Sequence, residues 1–322
     1  MTLSSSLQFL KVPKWLKWRG KGGLVRETIR RLLKERRAIL LAHNYQPPEI
    51  QEVADLCGDS LELSIKASET DAEVIVFCGV HFMAETASIL SPEKIVLLPR
   101  LNAGCPMADM ITPEALLAKL AELGPMPVVT YVNSPASVKA LSTVCCTSAN
   151  VLAVVNSLDA PEILMTPDRN LARYAASQTP KTIHAWEGYC PIHDRLTPEA
   201  VVAARKAYPD AVFMAHPECR KAVLDMADTV LSTSGMVRFA KTSPHLAFIV
   251  GTELGLMYAL QKACPDKAFY PASASMICPD MKKIHLEDVI RSLETLDGQV
   301  KVPESVRVPA LEAVRRMIGI AG

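Results

Sequence analysis

The stretch "WEGYCPIHDR", residues 186–195, sets a cysteine directly before a proline at the end of a run that reads as a buried strand. The same pair stands in "NAGCPMADM", at Cys105-Pro106, and in "SMICPDMKK", at Cys278-Pro279. The intervals are 85 and 88 residues. So regular a spacing points to three copies of one unit, each closed by the same device.

The runs between the pairs agree. From residue 37 onward, short segments rich in Val, Ile and Leu alternate with helical patterns, as parallel strands covered by helices on both faces require. The first copy reads as strands "AILLAH", a short one near "LCGD", "EVIVFCG" and "KIVLLP", with helices near 48–56, 61–69 and 81–90. The second reads "PVVTYV", "TVCCT", "EILMTP" and "TIHAWE", and the third "AVFMAH", "TVLST", "LAFIVG" and "KAFYP". Linking helices, "TPEALLAKLAEL" and "TPEAVVAARKAY", carry the chain from one copy to the next. The expected fold is α/β: three homologous three-layer αβα domains, each with a four-stranded parallel sheet, around a pseudo-threefold axis. The expected boundaries are an extension over 1–23, repeats over 24–107, 108–193 and 194–284, and C-terminal helices over 285–322 packing back on the body.

Aligning the copies on their first strands aligns polar residues as well. His43, Tyr131 and His216 coincide; two residues on come Tyr45, Asn133 and Glu218, and fifteen further on Ser60, Ser148 and Thr233. Parallel sheets bind ligands beyond the carboxyl ends of their strands, where these positions fall, so three copies about one axis would turn them toward a shared cavity. A Ser or Thr before a helix is ordinarily an N-cap worth about 1 kcal/mol. Ser60, Ser148 and the "STSG" of 232–235 are read as caps, and the helix starts behind them as anion sites suited to phosphate or carboxylate. A single buried histidine is as often structural as functional, but repetition at one topological position favours function for His43 and His216.

Composition narrows the field. With 322 residues, 49% hydrophobic and 21% charged, the chain is ordinary globular material. Lys and Arg number 35 against 34 Asp and Glu, which excludes a generally basic surface for nucleic acid and favours small, anionic ligands. Nine cysteines without a secretory signal suggest a reducing, cytoplasmic setting with no structural disulfides. No apolar run approaches the roughly 18 residues of a membrane span. The first 23 residues are basic, free of acids and carry Trp15 and Trp18. Pro13 and the glycines from Gly20 to Gly23 interrupt any long amphipathic helix there, so a segment laying its tryptophans on the body is favoured over a transit peptide.

Of the cysteines, those at 57, 78, 145, 146, 219 and 264 lie within apolar or helical runs and read as buried thiols. Cys105, Cys190 and Cys278 end the last strand of each copy and would meet near the axis. Three thiolates without a fourth suggest a metal centre with an open position. Zinc with three cysteines and a water is one such centre, although no CxxC pair or adjacent zinc-type motif is present. A [4Fe-4S] cluster with one iron left for substrate is the stronger reading. Two classes of function fit: an enzyme, or a module that only holds an anionic metabolite around a metal staple. The density of His, Tyr and Glu at the shared positions favours the enzyme.

The motifs "LAHNYQPPEIQEVADLCGDS", "FCGVHFMAETASIL", "AGCPMADM", "YVNSPASVKA", "CTSAN", "WEGYC", "HPEC" and "STSGM" together resemble the quinolinate synthase family, over residues 25 to 300. The resemblance implies three α/β domains around a [4Fe-4S] cluster ligated by Cys105, Cys190 and Cys278. It implies condensation of iminoaspartate with dihydroxyacetone phosphate to quinolinate, a precursor of NAD, with release of phosphate and water and an open iron acting as Lewis acid. It assigns catalysis to His43, Tyr45, Tyr131, His193 and Glu218, further substrate contacts to Asn133 and His216, and anion contacts to Ser60, Ser148, Ser232 and Thr233. Because iminoaspartate is unstable, transient contact with an aspartate-oxidising enzyme is expected. Some relatives carry a redox pair of cysteines six and three positions before the last ligand. Ala272 and Ser275 stand there in this chain, so disulfide regulation of that kind is not expected.

Overall fold

The structure is a computed structural model, and it describes residues 23–320; the reading of the basic N-terminal extension lies outside the described residues. Among the described residues, twelve strands form three four-stranded parallel sheets. The first contains β1 (Ala38–His43), β2 (Leu56–Gly58), β3 (Val74–Cys78) and β4 (Ile95–Leu97). The second contains β5 (Val128–Tyr131), β6 (Val144–Cys146), β7 (Glu162–Thr166) and β8 (Thr182–Ala185). The third contains β9 (Val212–Ala215), β10 (Thr229–Val230), β11 (Ala247–Gly251) and β12 (Ala268–Pro271). Each sheet has the same order, with its second strand at one edge, then the first, third and fourth. Helices flank each sheet, so the three αβα units expected from the sequence are present. The central strands are apolar on both faces; Leu40, Leu41, Ile75, Val129, Leu164, Phe213 and Ile249 are fully buried.

Two hydrogen-bonding devices recur in every copy. The backbone N–H near the start of the first strand finds a side-chain acceptor just before the second: Leu40 on Asp55 (2.8 Å), Val128 on Thr143 (3.0 Å) and Phe213 on Asp228 (2.7 Å). A lysine at the foot of the fourth strand, Lys94, Lys181 or Lys267, donates to two carbonyls where the second helix of its copy ends. Those carbonyls have no intrahelical partner, and a cation is favoured at that end of the dipole. The linking helices Pro113–Leu123 and Pro198–Ala207 start as "TPE" suggests, with Thr112 and Thr197 accepting from the third residue on and proline in the first turn.

Two expectations are corrected. The cysteines do not end strands: β4 stops at Leu97, β8 at Ala185 and β12 at Pro271, and each cysteine stands in the loop beyond. The proline after it opens a short helical turn, at Pro191–Asp194 in the second copy and close before Ala108–Met110 and at Asp280–Lys282 in the others. Nor is β8 buried; it is a partly exposed edge strand.

The C-terminal segment closes the body. Residues around Gly298 run antiparallel beside β4, through Leu98 N–H to Gly298 O (2.8 Å) and Val300 N–H to Val96 O (2.9 Å), so this sheet edge is covered. The helix Glu304–Gly319 then packs across His81–Leu90 of the first copy and both Ala136–Lys139 and β6 of the second. Asn150 Nδ2 ties its end through Met317 O and Ile320 O. Among the described residues no helix is long and apolar enough to cross a membrane.

Gly298 has φ +85°, and a Cβ there would lie 2.5 Å from Leu98 O, whereas Gly124, at φ +89°, has open space. Gly298→Ala should therefore destabilise the protein by more than the ~1–3 kcal/mol of left-handed strain alone. Gly124→Ala should show only the strain. Thermal melting of the two variants side by side checks this; equal losses would mean the strand-edge contact adds nothing.

Candidate active site

The three first strands end around one partly open cavity of about 260 Å³. Its wall takes in His43, Tyr45 and Ser60 from the first copy, Tyr131, Asn133 and Ser148 from the second, and His216, Glu218 and Thr233 from the third. His193 and all three Cys-Pro cysteines are on the same wall. Ser232 is not: its Oγ accepts from Gly235 N–H (3.2 Å) as the N-cap of helix Thr233–Thr242 and donates to Asp59. The expected caps at Ser60 and Ser148 also move. Asp59 caps helix Ser60–Glu69 in a capping box, and Asn150, bonded to Thr147, precedes Val151–Ser157. A carboxylate reaches two N–H groups at once where a hydroxyl reaches one, and the shift leaves the Ser60 and Ser148 side chains at the cavity.

At its centre lies Glu218, a carboxylate almost without exposure. Oε1 accepts from Tyr131 O–H at 2.6 Å, and Oε2 lies 2.6 Å from His193 Nδ1 and 3.8 Å from His216 Nδ1. The His193 and His216 rings stack with centroids 4.5 Å apart. His216 Nε2 meets Ser148 Oγ at 3.2 Å. On the other side, His193 Nε2 lies 2.8 Å from Thr252 Oγ1, which is 2.6 Å from Tyr45 Oη. One network thus joins groups from all three copies.

Burial opposes the Glu218 carboxylate, but His193 and His216 beside it and hydrogen bonds from His193 and Tyr131 hold its pKa below the usual carboxylate range. Burial pushes the Tyr45 and Tyr131 phenols well up, with the Glu218 charge adding to it, so both stay proton donors. Burial pulls His216 down to about 3; His43 falls to about 3 through burial and then the charge of Lys282.

The donor set suits a thiolate-bound cluster. Each cysteine sulfur faces the backbone N–H of the residue three positions on, Ala108, His193 or Met281, which is what the short turn after the proline accomplishes. Such N–H groups stabilise sulfur-bound charge in iron-sulfur sites. Burial raises all three thiols, Cys105 to about 12, so they become thiolates only where a bound cationic centre offsets the cost. Five of the other six cysteines are buried and Cys57 is partly so, its thiol turned onto Gln51 O at 3.3 Å. Among the described residues Cys190, His193 and Glu218 also bring one ligand atom each within 4.8 Å of one another.

Several site residues escaped the sequence reading. Thr252, which bridges Tyr45 and His193, has no counterpart in the other copies, and no periodic signal marks it. Arg195 is on the cavity wall as well; its register, five residues past the cysteine, holds Met110 and Lys283 in the other copies, and neither lines the cavity. Gln51 and Lys139 do have a signal, because they share one register. Gln51 Nε2 donates to Gln46 O (2.8 Å) and Lys139 Nζ to Ser134 O (2.5 Å), bracing the loops that carry Tyr45 and Asn133. Lys139 is fully buried over the Phe82 ring.

Three α/β units that pool buried acid-base groups and three thiols at one cavity, with donors suited to a metal, have the make-up of an enzyme active site. Among protein families, residues 27–319 match the family described as quinolinate synthetase A protein. The chain is 55% identical over 296 residues to a quinolinate synthase of Geotalea uraniireducens, covering 92% of this chain and 97% of that protein. It is 56% identical to one of Geobacter sp. strain M21 at the same coverage, and 52% identical over 293 residues to quinolinate synthase 1 of Methanosarcina acetivorans, covering 91% and 96%. The chain belongs to the quinolinate synthase family, enzymes of NAD biosynthesis.

His43 is neutral in the folded protein down to about pH 3 but takes a proton near 6.5 when unfolded. The unfolded state therefore binds more protons in that window, and stability rises with pH there. His43→Gln should flatten this slope by up to about 1.4 kcal/mol per pH unit. Denaturant titrations between pH 4 and pH 6, in roughly half-unit steps, measure it; an unchanged slope would mean that His43 is charged in the folded protein.

Proposed function

We propose that this cavity condenses iminoaspartate with dihydroxyacetone phosphate to quinolinate, releasing phosphate and water, with Cys105, Cys190 and Cys278 holding a [4Fe-4S] cluster. The observation that carries the reading is the gathering of one turn-mounted cysteine from each copy beside the buried Tyr131–Glu218–His193 network. When bound, such a cluster supplies a Lewis-acidic iron without a protein ligand.

The remaining chemistry falls to side chains. Losing phosphate, isomerising a carbonyl and closing a ring each require a proton to be removed at one atom and delivered at another. Glu218 accepts, Tyr131 donates, and His193 relays between Glu218 and the Thr252–Tyr45 side of the cavity. His43, Asn133 and His216 contact substrate. Ser60, Ser148, Thr233 and Arg195 suit its phosphate and carboxylates. The depth of the cavity limits the access of water to the imine, which hydrolyses readily. The same instability favours a transient handover from an aspartate-oxidising enzyme, and we place the reaction in the cytoplasm.

The Cys190, His193 and Glu218 cluster favours one second reading, a single zinc-type ion on those three donors. Anaerobic purification separates the two: brown colour with iron and acid-labile sulfide supports the cluster, and zinc without sulfide the single ion. The direct test is an anaerobic assay for quinolinate from the two substrates; no product from iron-loaded protein would overturn the proposal. Serine at Cys105, Cys190 or Cys278 should each abolish the iron centre and activity, while serine at Cys57, Cys78 or Cys264 should leave iron content near the parent. A full cluster in any of the first three variants would remove that residue from the ligand set.

Tyr131→Phe and Glu218→Gln should keep the iron but lower turnover by roughly a hundredfold or more, the scale of positioned acid-base catalysis. Near-parental rates in both would return these residues to a structural role.

A further inference from the structure

Two buried carboxylates, neither of them used in the proton network, stand directly behind ligand cysteines. Asp168 and Glu253, each 1% exposed, occupy one register two residues past the third strand of their copies. Asp168 Oδ2 accepts from Cys190 N–H at 3.0 Å while Oδ1 caps the next helix through Leu171 N–H at 2.7 Å. Glu253 Oε1 accepts from Cys278 N–H at 3.0 Å, and Oε2 accepts from Gly255 N–H at 2.6 Å. Lys282 Nζ lies 2.9 Å from Glu253 and also donates to Tyr45 O, so the Cys278 loop is tied to the first-copy acid-base loop.

In the first copy the same register holds Val80, whose side chain cannot accept a hydrogen bond. There the carboxylate comes from the third copy. Asp280 Oδ1 accepts from Gly104 N–H, next to Cys105, at 3.0 Å, and Lys283 holds Asp280 at 2.6 Å and Asn102 O at 2.6 Å. Every cysteine loop thus has one backbone N–H, at the cysteine or next to it, fixed by a carboxylate.

We propose that Asp168, Glu253 and Asp280 are positioning residues that lock the three cysteine loops in the orientation that holds the iron-sulfur centre. The proposal rests on the reading of Cys105, Cys190 and Cys278 as its ligands. Backbone pairing ties each loop only two residues before its cysteine, at Ala103, Gly188 and Met276, and leaves the N–H groups at and next to the cysteines to the carboxylates. An amide at Asp168 or Glu253 keeps size but turns one accepting oxygen into a donor, so one of the two backbone N–H groups loses its partner. Outer residues that orient metal ligands typically contribute about 10- to 100-fold in metal affinity.

The test uses iron-loaded protein under anaerobic conditions and follows iron release to a chelator, together with the spectrum of the centre and the melting temperature. Asp168→Asn, Glu253→Gln and Asp280→Asn should each release iron about tenfold or more faster than the parent, with Cys190→Ser as the reference for a lost ligand. Asp280 is less deeply buried than Asp168 and Glu253, so its variant reports even where a buried amide prevents folding. Faster release with a parental melting temperature supports the proposal. Parental release and spectrum in the three variants, while Cys190→Ser loses iron, overturns the positioning role and leaves the ligand reading intact. Lower melting temperature with parental release assigns the carboxylates to folding alone and also overturns it. Iron retained in Cys190→Ser shows that the ligand reading has failed, and the proposal fails with it.

Discussion

A carboxylate out of reach of water is tolerated only where several donors converge on it, and Glu218 depends on donors that its own domain does not supply in full. Tyr131 comes from the second copy and His193 from the turn after Cys190, while only His216 is local. Removing any one of them would leave a buried charge short of partners, at several kcal/mol. The three units are therefore not loosely associated domains that happen to share a cleft. Glu218 ties the third copy to the second, and the His193–Thr252–Tyr45 contacts carry the network on to the first, so its charge balance holds only while the three units keep one arrangement.

Symmetry supplies positions here, and divergence supplies chemistry. The end of the first strand carries His, Tyr and His; two residues on it carries Tyr, Asn and Glu. The brace behind these loops is Gln51 in one copy and Lys139 in the next, while the third has Leu224. Structural devices that only a fold needs, the acceptor before the second strand and the lysine under the second helix, stayed in all three copies. Residues at the cavity were free to differ because each faces the axis from a different direction and meets different neighbours. The result is an asymmetric site inside a nearly symmetric scaffold.

This division explains what the sequence disclosed. The strands, their order of alternation with helices and the shared register of His43, Tyr131 and His216 were legible because fully buried parallel strands read as continuous apolar runs and because the copies could be laid over one another. Cysteine placement was less legible. A Cys-Pro pair after an apolar run looks the same whether the strand ends at the cysteine or several residues before it, and the turn that aims backbone N–H groups at sulfur leaves no hydrophobic period. Ser60 reads as a cap, but Asp59 beside it takes the Leu61 and Glu62 N–H groups on its Oδ1. Thr252 was invisible, since a contact made once across two copies has no repeat to betray it. Asp168 and Glu253 lay one register alignment away.

Two kinds of anchoring follow from where the strands end. The groups at the first-strand ends are held by central strands hydrogen-bonded on both sides, among the most rigid backbone a parallel sheet offers. The cysteine loops begin beyond edge strands and keep one backbone bond each to the segment after the third strand, from His81 to Ala103, Arg169 to Gly188 and Leu254 to Met276, so the stretch from there through the cysteine leans on individual side-chain acceptors. Buried carboxylates are expensive unless fully satisfied, and those of Asp168 and Glu253 each accept two backbone N–H groups, Glu253 with a lysine in addition. A hydroxyl or amide in the same place would satisfy fewer donors and hold the loop less firmly. The polar cost sunk beneath the cavity therefore adds to the single backbone bond of the second and third cysteine loops, as Asp280 does for the first, and it is borne by a core whose central strands are apolar on both faces.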